Sequence, residues 1–288
     1  MNITMLWTHL FVIIGIALTG FFTLLILQTL IPINPIPIDA PTPITTYAKP
    51  VLSILPIIQN TGNLRIVYNT PKTANYEPLY NILSQSGFYD NLVEQINSYI
   101  ALPTDVPIIF TECERTDAYY NYSAGIVICY EIIQTNANLA ATSFATQKEI
   151  NLAITDSISM ILFHEIGHAL IDLLNLPVTG KEEDAADQIA TIMILKTKDG
   201  DRAALNGAIL YLLWSKDPVF NTIEFWSTHS LNLQRFYNIL CWIYGYEPIT
   251  WSYLRENGYL PESRASGCIQ EYTKMHERWE QLLSPHYI

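Results

Sequence analysis

The stretch from Asn151 to Leu174 constrains this chain more than any other, because it reads as one long buried helix that carries His164, Glu165 and His168 at its centre. Leu152, Ile158, Ile161, Leu162, Ile166, Ala169 and Leu173 recur at helical spacing, and Pro177 stops the helix soon afterwards. Neutral imidazoles in such a setting are costly unless something binds them. In His-Glu-x-x-His the two histidines lie one turn apart on the same face, so both can reach one ion. The intervening Glu165 can then lie beside the water that the ion activates. The segment predicts a zinc site suited to metal-assisted hydrolysis.

Two imidazoles leave a tetrahedral zinc one protein ligand short. The pattern HExxHxxGxxH would supply a third histidine, but its glycine position is Ile171 and its last histidine position is Leu174. The third ligand must come from elsewhere, and Gly180 to Ala190 offers an acidic helix start. There Glu183 and Asp187 are four apart on one face, so Glu183 can bind the ion while Asp187 accepts the outer N–H of a ligand histidine. Glu182, Asp184 and Asp172 compete with Glu183 for the first of these roles.

An HExxH helix followed by a helix bearing ExxxD resembles the gluzincin division of zinc metallopeptidases. More narrowly, HEIGHALIDLLNLPVTGKEEDAADQIA is similar to a bacterial family described as putative metallopeptidases, and the similarity runs from about Leu64 to the C-terminus. The resemblance implies Zn2+ held by His164, His168 and Glu183, Glu165 as general base, and Asp187 behind a ligand histidine. It also implies an α+β, zincin-like domain with a small N-terminal mixed sheet, an active-site helix and a helical C-terminal part, acting on peptides or proteins. In such enzymes substrate adds to the strand that precedes the active-site helix, which makes Ile126 to Tyr130 the expected substrate edge. A His or Tyr from the helical part commonly stabilises the oxyanion. His229 is the expected group here, with Tyr237 and Arg235 as alternatives.

Ahead of this domain, Leu10 to Leu30 is an almost unbroken apolar run, with no charged residue before Asp39. About twenty such residues span a bilayer. Residues 1–31 are therefore expected to be a transmembrane anchor, residues 32–60 a Pro-rich linker, and residues 61–288 the metallopeptidase domain. Cleavage near Ala40 as a signal peptide, giving a secreted protein, is the alternative. No basic residue precedes Lys49, so orientation has to be inferred from the cysteines. Cys113, Cys129, Cys241 and Cys268 allow three pairings, of which the neighbouring ones, Cys113 with Cys129 and Cys241 with Cys268, are expected. Two disulfides place the domain outside the cytoplasm, in the periplasm or at the cell surface. A net charge of −12 with only 15 basic residues and no basic run argues against nucleic acid and against docking on anionic lipid. Membrane association should then come from the N-terminal helix alone.

Coarse patterning predicts strands at Leu64–Tyr68, Val106–Thr111 and Tyr119–Ile133, the last broken into a hairpin at Ser123-Ala124-Gly125. Helical periodicity covers Tyr76–Ile100 with a break near Gly87, then Arg202–Trp214 and most of the remainder. Strands first and helices after describe an α+β domain. The expected activity is peptide hydrolysis by a membrane-tethered, extracytoplasmic zinc enzyme in which Glu165 activates the water. The alternative is a zinc-stabilised extracytoplasmic binding domain without catalysis.

Overall fold

Alternating apolar residues build the first two strands of the sheet, β1 (Leu64–Tyr68) and β2 (Val106–Thr111), each with one face turned to the core. The computed structural model of the protein describes residues 60–218, 220 and 225–288. The expected anchor at residues 1–31 lies outside the described residues, as does all but the last residue of the expected linker at residues 32–60. Among the described residues no helix is long and apolar enough to cross a membrane.

β1 and β2 run parallel, in register from Leu64 opposite Val106 to Tyr68 opposite Phe110. Parallel neighbours need a crossover. Here it is a pair of helices, α1 (Glu77–Ser86) and α2 (Phe88–Asn97), separated at Gly87. Gly87 has φ of 62°, a left-handed backbone that glycine adopts without steric cost, which accounts for the break in periodicity.

After β2 the chain swings outward, forms β3 (Ala118–Asn121), and returns through a turn into β4 (Gly125–Cys129). The strand order is β1-β2-β4-β3, with β4 parallel to β2 and β3 antiparallel to β4. The predicted hairpin is therefore present, but two details of the sequence expectation need correction. Every residue of β4 is buried and the strand is paired on both sides, so Ile126 to Tyr130 is not a free edge; β3 is. The β-rich stretch also ends at Cys129, because Tyr130 opens the helix α3 (Tyr130–Ser143), which buries Ile132 and Ile133. A short apolar run without alternation fits either structure, and here the helix prevails.

The active-site helix is α4 (Gln147–Leu173), which begins four residues before the predicted start. A capping box marks its first turn: Thr146 Oγ1 accepts the Glu149 N–H, and the Glu149 carboxylate accepts the Thr146 N–H at 2.9 Å. Its end is a Schellman motif in which Asn175 is left-handed (φ 51°), and the Leu176 N–H reaches back to the Ile171 carbonyl at 2.9 Å. Beyond it come α5 (Glu182–Leu195), α6 (Gly200–Trp214), α7 (Asn232–Tyr246), the short α8 (Ser252–Glu256) and α9 (Glu262–Leu283). Both expected disulfides form. Cys113–Cys129 ties the loop after β2 to the end of β4, and Cys241–Cys268 ties α7 to α9. A small mixed sheet with a mostly helical remainder is an α+β fold.

Candidate metal centre

The closeness of α4 and α5 sets the geometry of the site. Gly167 lies between the two histidines, and a Cβ placed there would stand 3.1 Å from both Cα and O of Ala186 on α5. Glycine at this point lets the helices approach, which brings the first turn of α5 against the histidine face of α4. Gly167→Ala should push α5 outward by a few tenths of an ångström. We expect it to weaken metal affinity about tenfold or more, the size seen when groups supporting ligands are disturbed. Competition against a chromophoric chelator measures this, and unchanged affinity would show that helix spacing does not control the centre.

Three atoms converge at this contact. His164 Nε2 and His168 Nε2 are 3.2 Å apart, and each is 3.2 Å from Glu183 Oε2. The far side of each ring is held by a carboxylate, His164 Nδ1 by Asp187 Oδ1 at 2.8 Å and His168 Nδ1 by Glu182 Oε1 at 2.8 Å. Carboxylates only accept, so each Nδ1 carries a hydrogen, and whenever the rings are neutral each presents a bare Nε2 lone pair to the other ring and to Glu183. Three lone-pair donors this close repel unless a cation lies among them. A tetrahedral ion with bonds of about 2.0–2.1 Å holds its ligand atoms about 3.3–3.4 Å apart, close to the spacing found here. The residues fit a metal ion.

The electrostatics point the same way. Burial would lower the pKa of His164, but the charge of Asp187 and hydrogen bonds to Asp187 and Glu183 outweigh it and push the ring up to about 9. Burial would likewise raise Glu183, yet its contacts with His164, His168 and His229 hold its carboxyl well below the usual carboxylate range. The cluster demands positive charge at its centre.

Behind it, Asp187 is 2% exposed. Its carboxylate also accepts two hydrogen bonds from Arg235, from Nε at 2.7 Å and from Nη2 at 2.7 Å. The guanidinium lies 3.9 Å over the Tyr211 ring and donates to the Tyr211 hydroxyl at 2.6 Å. Burial raises Asp187, but the Arg235 and His164 charges more than offset this and keep it ionised. Arg235 is thus a buried counter-ion to Asp187. The structure directs it away from the oxyanion role offered as an alternative from the sequence.

Glu165 lines a cleft together with His164, His229 and Arg235. Its carboxylate is buried and makes no hydrogen bond to a described residue; burial raises its pKa while the two histidines oppose the rise. His229 sits on the loop before α7 with Nε2 2.7 Å from Glu183 Oε2. Lys181 secures that loop, donating to the carbonyls of Ser227 at 3.1 Å and His229 at 3.3 Å. The other candidates lie apart. Tyr237 packs on Phe236, Asp184 lines a separate crevice with Lys274 and Arg278, and Asp172 accepts the Tyr120 hydroxyl at 2.9 Å.

That last bond moors β3 along α4. The Cys129 N–H donates to the Asp117 carbonyl, so alternation along the antiparallel pair turns the backbone groups of Ala118 and Tyr120 toward the open edge. Sequence reasoning missed Arg235 as the partner of Asp187, Tyr211 beneath it, and Glu182 behind His168. For Arg235 a signal exists: a lone arginine among Phe236, Ile239 and Leu240 calls for a buried acid.

A family model described as "Putative metallopeptidase" matches residues 68–283, three quarters of the chain. The chain belongs to this family. Such a family implies a metal ion and hydrolytic chemistry, and the matched range contains every residue of the cluster. No curated protein matches the chain, and no solved structure does.

Proposed function

We propose that the protein is a zinc-dependent peptidase whose metal is held by His164, His168 and Glu183. The observation that carries this is the set of three lone-pair atoms 3.2 Å apart, with both rings oriented from behind by carboxylates. Two imidazoles and one carboxylate form a catalytic zinc set that leaves a fourth position open. When bound, zinc supplies the Lewis acidity that polarises a carbonyl and acidifies a water.

The chain's own groups do the rest. An extended peptide pairs with the open edge of β3 at Ala118 and Tyr120, which fixes the scissile bond over α4. Glu165 takes the proton from the attacking water and passes it to the leaving amine. His229 turns from Glu183 and donates its Nε2–H to the oxyanion that develops on the substrate carbonyl. Asp187 and Glu182 keep the two ligand rings from rotating. The apolar N-terminal run and the two disulfides support a domain held outside the cytoplasm by a membrane anchor.

Metal removal tests the assignment. A chelator should abolish hydrolysis of an unfolded protein substrate and one equivalent of zinc should restore it. Thermal stability should fall together with activity, since zinc at about a thousand times its Kd stabilises a fold by ~4 kcal/mol. Protein that binds no metal, or that hydrolyses equally with and without it, would exclude a zinc peptidase.

A further inference from the structure

The cleft beside Glu165 is lined by polar groups, among them His164, Glu165, His229 and Asn232, and by the apolar side chains of Ile132, Ile161, Trp214 and Phe220. Ile132 and Ile161 are each 5% exposed and Trp214 is 8% exposed, and what they leave uncovered opens onto this space. The Trp214 ring stacks on Phe220 with centroids 4.9 Å apart. Its indole N–H is committed to Asn136 Oδ1 at 3.1 Å, so the ring offers the cleft carbon rather than a donor.

Size and charge narrow what can enter. The cleft volume is about 220 Å³. A dry cavity of about 150 Å³ holds benzene, so a phenylalanine or leucine side chain fits with room for part of its backbone. An acidic side chain would meet the Glu165 carboxylate, while the Arg235 guanidinium is already bound to Asp187 and Tyr211, and His229 is engaged by Glu183. Ala118 stands on the rim and is also one of the two β3 residues whose backbone faces the open edge. A residue paired across from Ala118 projects its side chain to the same face of the sheet as Ala118 does.

We propose that this cleft is a specificity pocket that selects a large, uncharged apolar side chain, aromatic or branched aliphatic, next to the scissile bond. The inference rests on the peptidase assignment above, and its pocket can also be tested separately by binding. Zinc-loaded protein is given an equimolar library of peptides varied at one position, and the products are read by mass spectrometry. Phe, Leu and Ile should be preferred at one site over Gly, Asp and Glu by at least roughly 10-fold in kcat/KM, since a single methylene in an apolar pocket is already worth about 10–200-fold. Ile132→Phe, which fills the pocket, should shift the preference to Ala and Val. Phe220→Ala should admit Trp. Hydrolysis with no preference at any position, or a preference unmoved by both folded variants, overturns the pocket.

Should the zinc-loaded protein hydrolyse nothing, the peptidase assignment fails, but the pocket still predicts a result. Trp214 fluorescence should respond saturably to N-acetyl-phenylalanine amide, not to N-acetyl-aspartate amide, and Ile132→Phe should abolish the response. No response to either, or equal responses to both, overturns the pocket independently of catalysis.

Discussion

Replacing Arg235 with methionine should lower the free energy of unfolding by about 3–5 kcal/mol, the cost of removing one partner from a buried ion pair. Both groups are almost fully buried, and the bond is a two-point fork that lysine cannot reproduce. Without it, Asp187 keeps only the His164 N–H to offset its desolvation. Arg235→Lys should therefore recover only part of the loss. Pairing Arg235→Met with Asp187→Asn should recover more, because no unpaired charge then remains. The loss should also reach the metal, since Asp187 holds His164 by Nδ1. Urea denaturation of the four proteins, with metal affinity measured on each, checks both parts. If the double variant is less stable than Arg235→Met alone, the unpaired carboxylate is not the source of the cost.

That ion pair also shows where the sequence stops being legible. What lies within one helix could be read directly: the face shared by His164 and His168, the four-residue step from Glu183 to Asp187, and the strands at Leu64–Tyr68 and Val106–Thr111, whose alternation leaves one face buried. The pairings Cys113–Cys129 and Cys241–Cys268 were legible because each joins sequence neighbours. What failed depends on how elements pass one another. Nothing local in Gly125–Cys129 says that β3 will lie outside it, because strand order is decided by where the chain turns after Thr111. The choice among Glu182, Glu183 and Asp184 likewise rests on the rotation of α5 about its axis. That rotation lays Ala186 against Gly167 and turns Glu183 toward both Nε2 atoms, while Glu182 reaches the back of His168. Arg235 joined Asp187 across 48 residues of sequence, a distance over which no periodicity speaks.

Glu165→Gln should reduce hydrolysis by about 10²–10⁴-fold, the share contributed by a positioned general base. It should leave zinc content and melting temperature unchanged or slightly raised. The substitution keeps shape and removes a charge that burial already disfavours, so no stabilising contact is lost with it. Glu183→Gln, though chemically the same exchange, should behave differently. It removes the anionic donor shared by His164 and His168, so metal affinity should fall with activity, and the melting temperature should no longer respond to chelator. The contrast separates a residue that moves a proton from one that holds an ion, using metal analysis, calorimetry and a peptide assay on the same three proteins. Glu165→Gln protein that hydrolyses as fast as the parent would remove Glu165 from the base role and pass it to another group in the cleft. Parent and Glu165→Gln proteins that bind zinc equally and hydrolyse nothing would leave a zinc-stabilised binding domain. In that domain Glu165 would be a buried carboxylate with no task to account for its desolvation, and its conversion to glutamine should then stabilise the fold.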